Sequence, residues 1–369
     1  MKPTQKKLLS EWNAQAGYRY NGTHFIIDHD EQIPGIIVKL DRLVSDLANS
    51  KKALFVVRKT KQGDRLHPVS ELGKRVLECV DNLRVPIVRQ YLTRHRFSPY
   101  FELWEEYDRE LEQAVWYARH AQMLEGLNRC IEAIRIKARE SSFRAVVRNQ
   151  ERSARKNWAG LQSFIHKVFA EDSRLLVVRV DLGYRSDLVE FGFNWQKPED
   201  SKVKKDLKQI LSFISRKVPN RLGHVWKLEY GASKGHHVHC LILVDGHLSQ
   251  KGFPIAKMIG EKWEAITGNG SYWNCNGSEA LFKRRGQLGI GLIDYSNKEA
   301  RENLMNVALY VAKADYYARF ISPDIGRTFG KSLVKVSTSS KRLGRPRKYV
   351  DPVEGIDETK QDNKVKKVA

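Results

Sequence analysis

The hydrophobic periodicity of this chain changes near residue 174, and the change limits the folds that the chain can adopt. Before it, apolar residues recur every three to four positions, as on one face of an α-helix. These helical stripes run over 36–47, 72–83, 103–116 and 124–134. After it come short β-type runs, beginning with 175–181 and 188–193. The sequence therefore predicts a mainly helical N-terminal region followed by a region built on strands.

Strands and helices then alternate along the second region. Strand-like runs occupy 225–230, 237–244 and 287–294, and helical patterns occupy 204–218, 253–266 and 298–320. Strands in series with intervening helices predict an α+β domain on an antiparallel sheet. We therefore expect a mainly helical region at 1–170, an α+β domain at 171–330 and a tail at 331–369.

The charge of the chain favours a polyanionic partner. It has 65 Lys and Arg against 43 Asp and Glu, which gives a net charge of +22. Basicity alone does not separate nucleic acid from membrane. No apolar run approaches a bilayer span and the N-terminus lacks the apolar stretch of a signal peptide, so we expect no membrane partner. Four scattered cysteines predict neither a zinc site nor a disulfide framework, which fits a reducing cytoplasm.

The tail is polar and basic, has almost nothing to bury and is expected to be disordered. Within it, the run 344–348 resembles an AT-hook, in which Arg345 and Arg347 would lie in a narrow A·T minor groove. The alternative is a basic tail that only keeps the chain in solution.

A row of arginines also follows helical spacing before residue 160. Its members are Arg144, Arg148, Arg152 and Arg155. Such a row is either a solvated helix face or a surface that contacts DNA.

The run at 237–244 carries the side chains best suited to bind a metal ion. Side chains alternate along a strand, so His237 and His239 face one side and His236 faces the other. A tight turn before the run would place Glu229 opposite His237, and cross-strand Cβ atoms are about 5 Å apart. Two imidazoles and a carboxylate would form a metal site with open coordination positions. The alternative is a chance His-x-His among 11 histidines.

The helix predicted at 298–320 carries a candidate nucleophile. Tyr310 and Lys313 are i and i+3 neighbours there, so their side chains share a face. A phenol has an unperturbed pKa of about 10 and needs a nearby cation to attack near pH 7. A bound divalent ion and Lys313 would supply that charge. The ordinary alternative is an amphipathic helix whose lysine extends to solvent.

In this order, the His-x-His strand, the glutamate on the adjoining strand and the Tyr-x-x-Lys helix resemble the HUH endonuclease superfamily of rolling-circle replication initiators, relaxases and related transposases. The runs 179–184, 235–239 and 309–315 are most similar to the inovirus-type replication proteins, those that resemble the filamentous-phage gene II product. The resemblance covers about residues 170–330 and leaves the N-terminal region unassigned.

The resemblance implies a metal-dependent nick in one strand of single-stranded or duplex origin DNA. It implies that His237 and His239 are metal ligands. Tyr310 would form a 5′-phosphotyrosine and free a 3′-OH, with Lys313 assisting at the phosphate. Glu229 as third ligand rests on the strand geometry as much as on the resemblance. Mg²⁺ or Mn²⁺ suits such a site better than structural zinc, because open histidine-carboxylate sites fit exchangeable octahedral ions.

Three functions are compatible with these motifs. The first is nicking and strand transfer that initiates rolling-circle replication of a phage or mobile element, with a host helicase and polymerase as further partners. The second is a non-catalytic DNA-binding protein or regulator on the same fold, and the third is transposition or conjugative transfer by the same chemistry. The intact metal and tyrosine motifs favour the first. Asn306 stands one turn before Tyr310, where two-tyrosine initiators can carry a tyrosine, so we expect one nucleophile. For Tyr317, two turns further on, we expect a buried or interfacial aromatic; the alternative is a helper in a second strand transfer.

Overall fold

The computed structural model describes residues 18–20, 25–27, 32–61, 63–82, 85–116, 120–185, 198–231, 235–284 and 288–334. All of these residues belong to one compact unit, Met1–Lys335. The AT-hook-like segment with Arg345 and Arg347 lies outside the described residues, and so does the strand expected at 188–193. Both stay predictions.

The N-terminal region is built mainly of helices, as its periodicity predicts. They are α1 (Gln32–Asn49), α2 (Glu71–Asn82), α3 (Val85–Tyr91), α4 (Pro99–Trp116), α5 (His120–Arg139) and α6 (Ser141–Glu171). Each predicted stripe faces inward, since Leu40, Val76, Trp104 and Ile131 are all buried. Pro86 is the second residue of α3, where a missing N–H costs no helical hydrogen bond.

Short antiparallel strand pairs accompany these helices. The pairs are β1 (Tyr18–Tyr20) with β2 (Phe25–Ile27), β3 (Phe55–Thr60) with β4 (Gly63–Pro68), and β5 (His95–Phe97) with β11 (Ala318–Phe320). The periodicity of the sequence does not predict them, because β1, β2, β5 and β11 have only three residues each and the six-residue β3 and β4 do not alternate apolar with polar residues.

The second region contains a six-stranded sheet whose strand pairings are all antiparallel among the described residues. Its strands are β6 (Arg174–Tyr184), β7 (Arg221–Gly231), β8 (Gly235–Asp245), β9 (Gly270–Asn274), β10 (Gly291–Asp294) and β12 (Phe329–Lys331). The order is β10-β6-β8-β7-β12, and β9 also pairs with β6. The expected α+β fold on an antiparallel sheet is confirmed.

Helices pack against both faces of this sheet. The remaining ones are α7 (Asp200–Lys217), α8 (Gly252–Thr267), α9 (Glu279–Arg284) and α10 (Lys298–Tyr317). Ile242 of β8 shares a hydrophobic core with α7 and α8. Its neighbours Leu241 and Leu243 share another core with α6, α10 and the N-terminal helices. Odd-numbered residues of β8, His237 and His239 among them, therefore lie on the α6 and α10 side.

Two predicted elements end differently in the structure. The helix expected over 298–320 stops at Tyr317, and the next three residues form β11 against β5. Ala318 and Phe320 are buried while Arg319 is exposed, which is the alternation of a strand. The strand expected over 287–294 is shorter and covers only Gly291–Asp294.

The boundary predicted between residues 170 and 171 falls in the last turn of α6, just before β6. One hydrophobic core includes residues from both sides of it, such as Leu40 of α1 and Leu241 of β8. The boundary itself stays a prediction.

None of the helices in the described ranges is long and apolar enough to span a bilayer. All four cysteines are buried and free, so they form no disulfide, in agreement with their wide spacing.

Candidate metal centre

Three adjacent strands bring the candidate metal ligands together. β8 lies between β6 and β7, so its histidines have neighbours on both sides. Glu229 of β7 pairs with His237, as the sequence predicts. His239 lies between Lys227 of β7 and Asp181 of β6. The site is therefore fixed by backbone ladders rather than by loops, which holds its side chains rigidly.

The ligand atoms of Glu229, His237 and His239 converge on one point. Glu229 Oε2 lies 3.2 Å from His239 Nε2 and 3.4 Å from His237 Nε2. The candidate ligand atoms of all three residues lie within 4.8 Å of one another. The two imidazole rings are nearly perpendicular, with centroids 5.0 Å apart. The three side chains thus form a compact group of two nitrogens and one carboxylate oxygen.

The remaining nitrogen of His237 is held by the backbone. His237 Nδ1 lies 3.1 Å from the carbonyl oxygen of Gly235. A carbonyl oxygen only accepts, so Nδ1 donates the hydrogen bond, and Nε2 is the nitrogen that faces Glu229. Gly235 has φ of 61°, a left-handed conformation that favours glycine. The turn geometry therefore directs Nε2 of His237 toward the ligand group.

A buried carboxylate plays the corresponding part at His239. Asp181 Oδ1 lies 2.9 Å from His239 Nδ1. Arg179 in turn donates to both oxygens of Asp181, at 3.2 and 3.0 Å. Contacts of this kind, behind the metal-facing nitrogen, orient metal-binding histidines in many proteins.

A buried lysine occupies the other oxygen of the glutamate. Lys227 is 2% exposed, and its Nζ lies 2.9 Å from Glu229 Oε1. Burial raises the pKa of Glu229, but the Lys227 ammonium and the hydrogen bonds from His237 and His239 lower it by more, so this pKa lies well below its ordinary value. Glu229 is therefore a carboxylate throughout the neutral range.

The other side of the site is also charged. Burial lowers the pKa of His239, but Asp181 and Glu229 raise it by more, so the net shift is upward. Burial raises the pKa of Asp181, and Arg179 and His239 together hold it below its ordinary value. Both carboxyl groups are thus ionised, and the buried Lys227 and Arg179 balance their charges.

This donor set fits a divalent cation. Ligand atoms about 2.1 Å from a metal lie roughly 3.0–3.4 Å apart in octahedral or tetrahedral arrangements. The separations of Glu229 Oε2 from the two Nε2 atoms fall in or close to that range. Three protein ligands leave coordination positions open for an exchangeable oxygen.

The structure places the predicted nucleophile on a helix that packs over the same face of the sheet. Tyr310 and Lys313 both belong to α10, but their side chains lie outside the described part of the chain. Leu304 and Val307 of α10 share a core with Leu241, which faces the same side as the histidines. Their catalytic roles stay predictions.

Comparison with protein families places the site within a known domain. Residues 137–332 match the family model of the YagK/YfjJ C-terminal domain. The chain belongs to the YagK/YfjJ C-terminal domain family. No curated protein and no solved structure matches the chain.

The YagK/YfjJ domain holds every residue of the candidate centre. The match begins in the last turn of α5 and ends just after β12. It therefore includes the three candidate ligands as well as Tyr310 and Lys313, while the first 136 residues lie outside it.

The structure adds three residues to which the sequence assigned no role. Arg179, Asp181 and Lys227 all support the ligands from within the sheet. The sequence contained a signal for each of them, because two charged residues that are two positions apart on a strand lie on the same face of the sheet. Lys227 stands two residues before Glu229 in this way, and Arg179 two before Asp181.

His236 faces away from the ligand group, as its position on the strand predicts. Its Nε2 lies 3.1 Å from Asp200 Oδ1 at the start of α7. Arg94 also donates to Asp200 Oδ1, at 3.0 Å, and Ser322 donates to Asp200 as well. Burial lowers the pKa of His236 to about 4. This neutral histidine is part of a polar cluster that is separate from the three ligands.

Tyr317 is buried at 2% exposure, as expected, and its ring packs against Tyr316 with centroids 4.9 Å apart.

His95, a histidine of the N-terminal region, also lies near the candidate metal centre. Burial lowers the pKa of His95 to about 4, and the charges of Glu229, Lys227 and His237 act on it as well.

Proposed function

We propose that the protein is a metal-dependent DNA endonuclease that nicks one strand through a covalent tyrosine intermediate. One observation carries the proposal: two imidazole nitrogens and one carboxylate oxygen converge, and the opposite nitrogen of each histidine is held by Gly235 or Asp181. This arrangement has the ligand types, the spacing and the supporting contacts of a metal site.

His237, His239 and Glu229 would hold Mg²⁺ or Mn²⁺. When bound, the ion would polarise a phosphoryl oxygen and offset the charge that develops in the transition state. Asp181 orients His239, and Lys227 keeps one oxygen of Glu229 occupied so that the other faces the histidines. The cofactor assignment rests on these donors together with the resemblance to HUH endonucleases.

Tyr310 would supply the nucleophile. Its phenol loses a proton, and the oxygen attacks the phosphorus of the scissile phosphodiester. A phosphorus–oxygen bond to Tyr310 forms, the bond to the 3′ oxygen breaks, and that oxygen takes up a proton to become a 3′-OH. Lys313, one turn further along α10, would stabilise the charge on the phosphate.

Such a reaction initiates rolling-circle replication, with the free 3′-OH as primer. The substrate would be single-stranded DNA or an origin duplex of a phage or mobile element, and a host helicase and polymerase would extend the product. The net charge of +22 is consistent with this partner.

The decisive test is a covalent adduct. Wild type, Tyr310→Phe and Tyr317→Phe are incubated with labelled single-stranded origin-region DNA and Mn²⁺, or with chelator, and resolved on denaturing gels. We expect a Mn²⁺-dependent adduct with wild type and Tyr317→Phe, and none with Tyr310→Phe. An adduct that survives Tyr310→Phe would remove Tyr310 as nucleophile. No adduct from wild type across many sequences would remove the activity.

A second candidate is a non-catalytic DNA-binding protein on the same fold. Its supporting observation is that Glu229 already contacts Lys227, His237 and His239, so the charge of this carboxylate is paired within the sheet without any metal ion. Titration calorimetry with Mn²⁺ separates the two candidates. The nickase requires binding that His239→Ala abolishes and that His247→Ala, at an exposed histidine, preserves. Wild type that binds no metal but binds DNA would favour the second candidate.

A further inference from the structure

Helix α6 carries a row of arginines along its exposed side. We call Arg144, Arg148, Arg152 and Arg155 the arginine stripe; all four are exposed. Successive members are four, four and three residues apart, so they fall within about 80° of the helix circumference. Along the axis they follow one another at about 4.5–6 Å, because each residue advances the helix by about 1.5 Å.

The stripe has little negative charge beside it on the helix. Between residues 141 and 156 the sequence has five cationic residues, the stripe and Lys156, and Glu151 as the one acid. Glu151 pairs with Arg155, at 3.4 Å. Like charges one helical turn apart repel each other, so the row disfavours the isolated helix. A polyanion that binds along the row would relieve this repulsion.

The opposite side of α6 is used inside the protein. Leu161, Phe164, Ile165 and Val168 are buried in the core that also contains α10. An amphipathic helix binds a membrane through its apolar face, and here that face is not available. The stripe is therefore better suited to nucleic acid, whose phosphates need only the cationic side.

The stripe lies on the side of α6 that faces away from α10. α6 packs against α10, and Gln150, which lies between Arg148 and Arg152 in sequence, donates to the carbonyl oxygen of Tyr316 at 2.7 Å. Gln150 is about 160° around the helix from the middle of the stripe, so the stripe is open to a ligand from solvent while the other side of α6 is fixed to α10.

We propose that the arginine stripe binds the phosphate backbone of single-stranded DNA. This binding role does not rest on the proposed nickase function. Arginine suits this task because its guanidinium is planar, always charged and able to bind phosphate through two N–H groups. The contact would be independent of sequence, since it reaches only the backbone.

The test compares two variants of equal charge. In the stripe variant, Arg144, Arg148 and Arg152 are changed to Gln, which leaves the Arg155–Glu151 pair intact. In the control variant, the exposed Lys205, Lys208 and Lys217 of α7 are changed to Gln; this helix packs on the other face of the sheet. Thermal melts of both establish that they fold.

Binding to a labelled single strand of mixed sequence is measured by fluorescence anisotropy over a salt series. The slope of log K against log[salt] changes by about 0.7 for each phosphate contact on a single strand. We therefore expect the stripe variant to bind at least about tenfold more weakly at low salt, with a slope smaller by roughly 2. We expect the control variant to keep the slope of wild type.

Three outcomes would overturn the proposal. Equal losses in both variants would show an effect of net charge alone, and no loss in the stripe variant would remove the stripe from the interface. Binding of wild type to anionic phosphatidylserine vesicles that the stripe variant loses, with DNA binding unchanged, would assign the stripe to a membrane. Tyr310→Phe should retain the DNA affinity and the salt slope of wild type even though it forms no adduct. DNA binding by the stripe is therefore tested separately from the nicking chemistry.

Discussion

Lys227 Nζ lies 2.9 Å from Glu229 Oε1 inside the sheet, and the lysine is 2% exposed. An ammonium so deep in a protein is costly unless a carboxylate pairs with it. The same carboxylate is the candidate metal ligand, so Lys227 and a bound cation act on one group. Lys227 keeps Glu229 ionised without metal, and its charge opposes the entry of a second cation.

Replacing Lys227 by Met should therefore have two opposite effects. Without metal, the variant should be less stable by about 3–5 kcal/mol, because Glu229 loses its buried partner. Its affinity for Mn²⁺ should rise, because one positive charge is removed beside the site. Urea unfolding and titration calorimetry measure the two effects.

The exposed Lys217→Met is the control, and it should change neither quantity. A fall in Mn²⁺ affinity in Lys227→Met would contradict this account. It would mean that the Lys227 ammonium helps metal binding by positioning Glu229 more than it opposes metal binding through its charge.

Asp181→Asn tests whether the Asp181 carboxylate orients His239 for metal binding. The amide keeps the shape of the carboxylate but not its charge, so it orients and polarises the imidazole less strongly. We expect a 10–100-fold loss of Mn²⁺ affinity, as is typical for such contacts behind a metal ligand. Asp294→Asn is the control, since Asp294 also pairs with an arginine, Arg174, but lies partly exposed on β10. Equal Mn²⁺ affinities in Asp181→Asn and wild type would leave Asp181 with no part in binding.

The metal group is the part of the site that the sequence predicts best. Strand alternation alone places His237 and His239 on one face, and a hairpin places Glu229 opposite His237; the structure has both. The contact of Asp181 with His239 needs the pairing of β6 with β8, two strands far apart in sequence, whereas Lys227 contacts Glu229 within β7. Local periodicity carries no information on which distant strands pair.

The ends of elements depend on tertiary contacts in the same way. Residues 318–320 continue the helical pattern of α10 in sequence, yet they form β11 because β5 offers backbone partners there. The stripes of the N-terminal helices are predicted correctly because each holds several turns of one period. The small hairpin of β3 and β4 has no periodic pattern of apolar residues of comparable length.

Asp41 should make the stability of the protein depend on pH. It is 4% exposed, and burial raises its pKa from 3.8 to about 7, against the hydrogen bond from Ser98. An acid whose folded pKa is raised binds its proton more tightly in the folded state. Its contribution to stability is therefore present below about pH 4 and is lost as the pH rises to 7, at up to about 1.4 kcal/mol per pH unit.

Asp41→Asn should remove this loss, because an amide does not ionise. Between pH 5 and pH 8 the free energy of unfolding should fall more in wild type than in the variant, by roughly 2–3 kcal/mol. Urea unfolding at both values measures it. Asp46→Asn, on the same helix but exposed, should behave as wild type. Parallel pH profiles in wild type and Asp41→Asn would show that Asp41 is ionised in the fold at little cost.

Arg94 connects the N-terminal region to the YagK/YfjJ domain. It lies outside the family match, and it donates to both carboxylate oxygens of Asp200, which lies inside the match at the start of α7. Its guanidinium also stacks over Tyr230 and Phe320, with 5.1 Å to each ring centroid. Lysine cannot reproduce a bidentate, stacked contact, so Arg94→Lys should be less stable by about 1–3 kcal/mol.

The matched control is Arg96→Lys, an exposed arginine two residues further along, which should be neutral. Thermal and urea unfolding compare the two. If Arg94→Lys were as stable as Arg96→Lys, the cluster around Asp200 would not hold the two regions together. If it is less stable, the family domain needs the preceding residues for its full stability, because the carboxylate at the start of α7 has its arginine partner only in the longer chain.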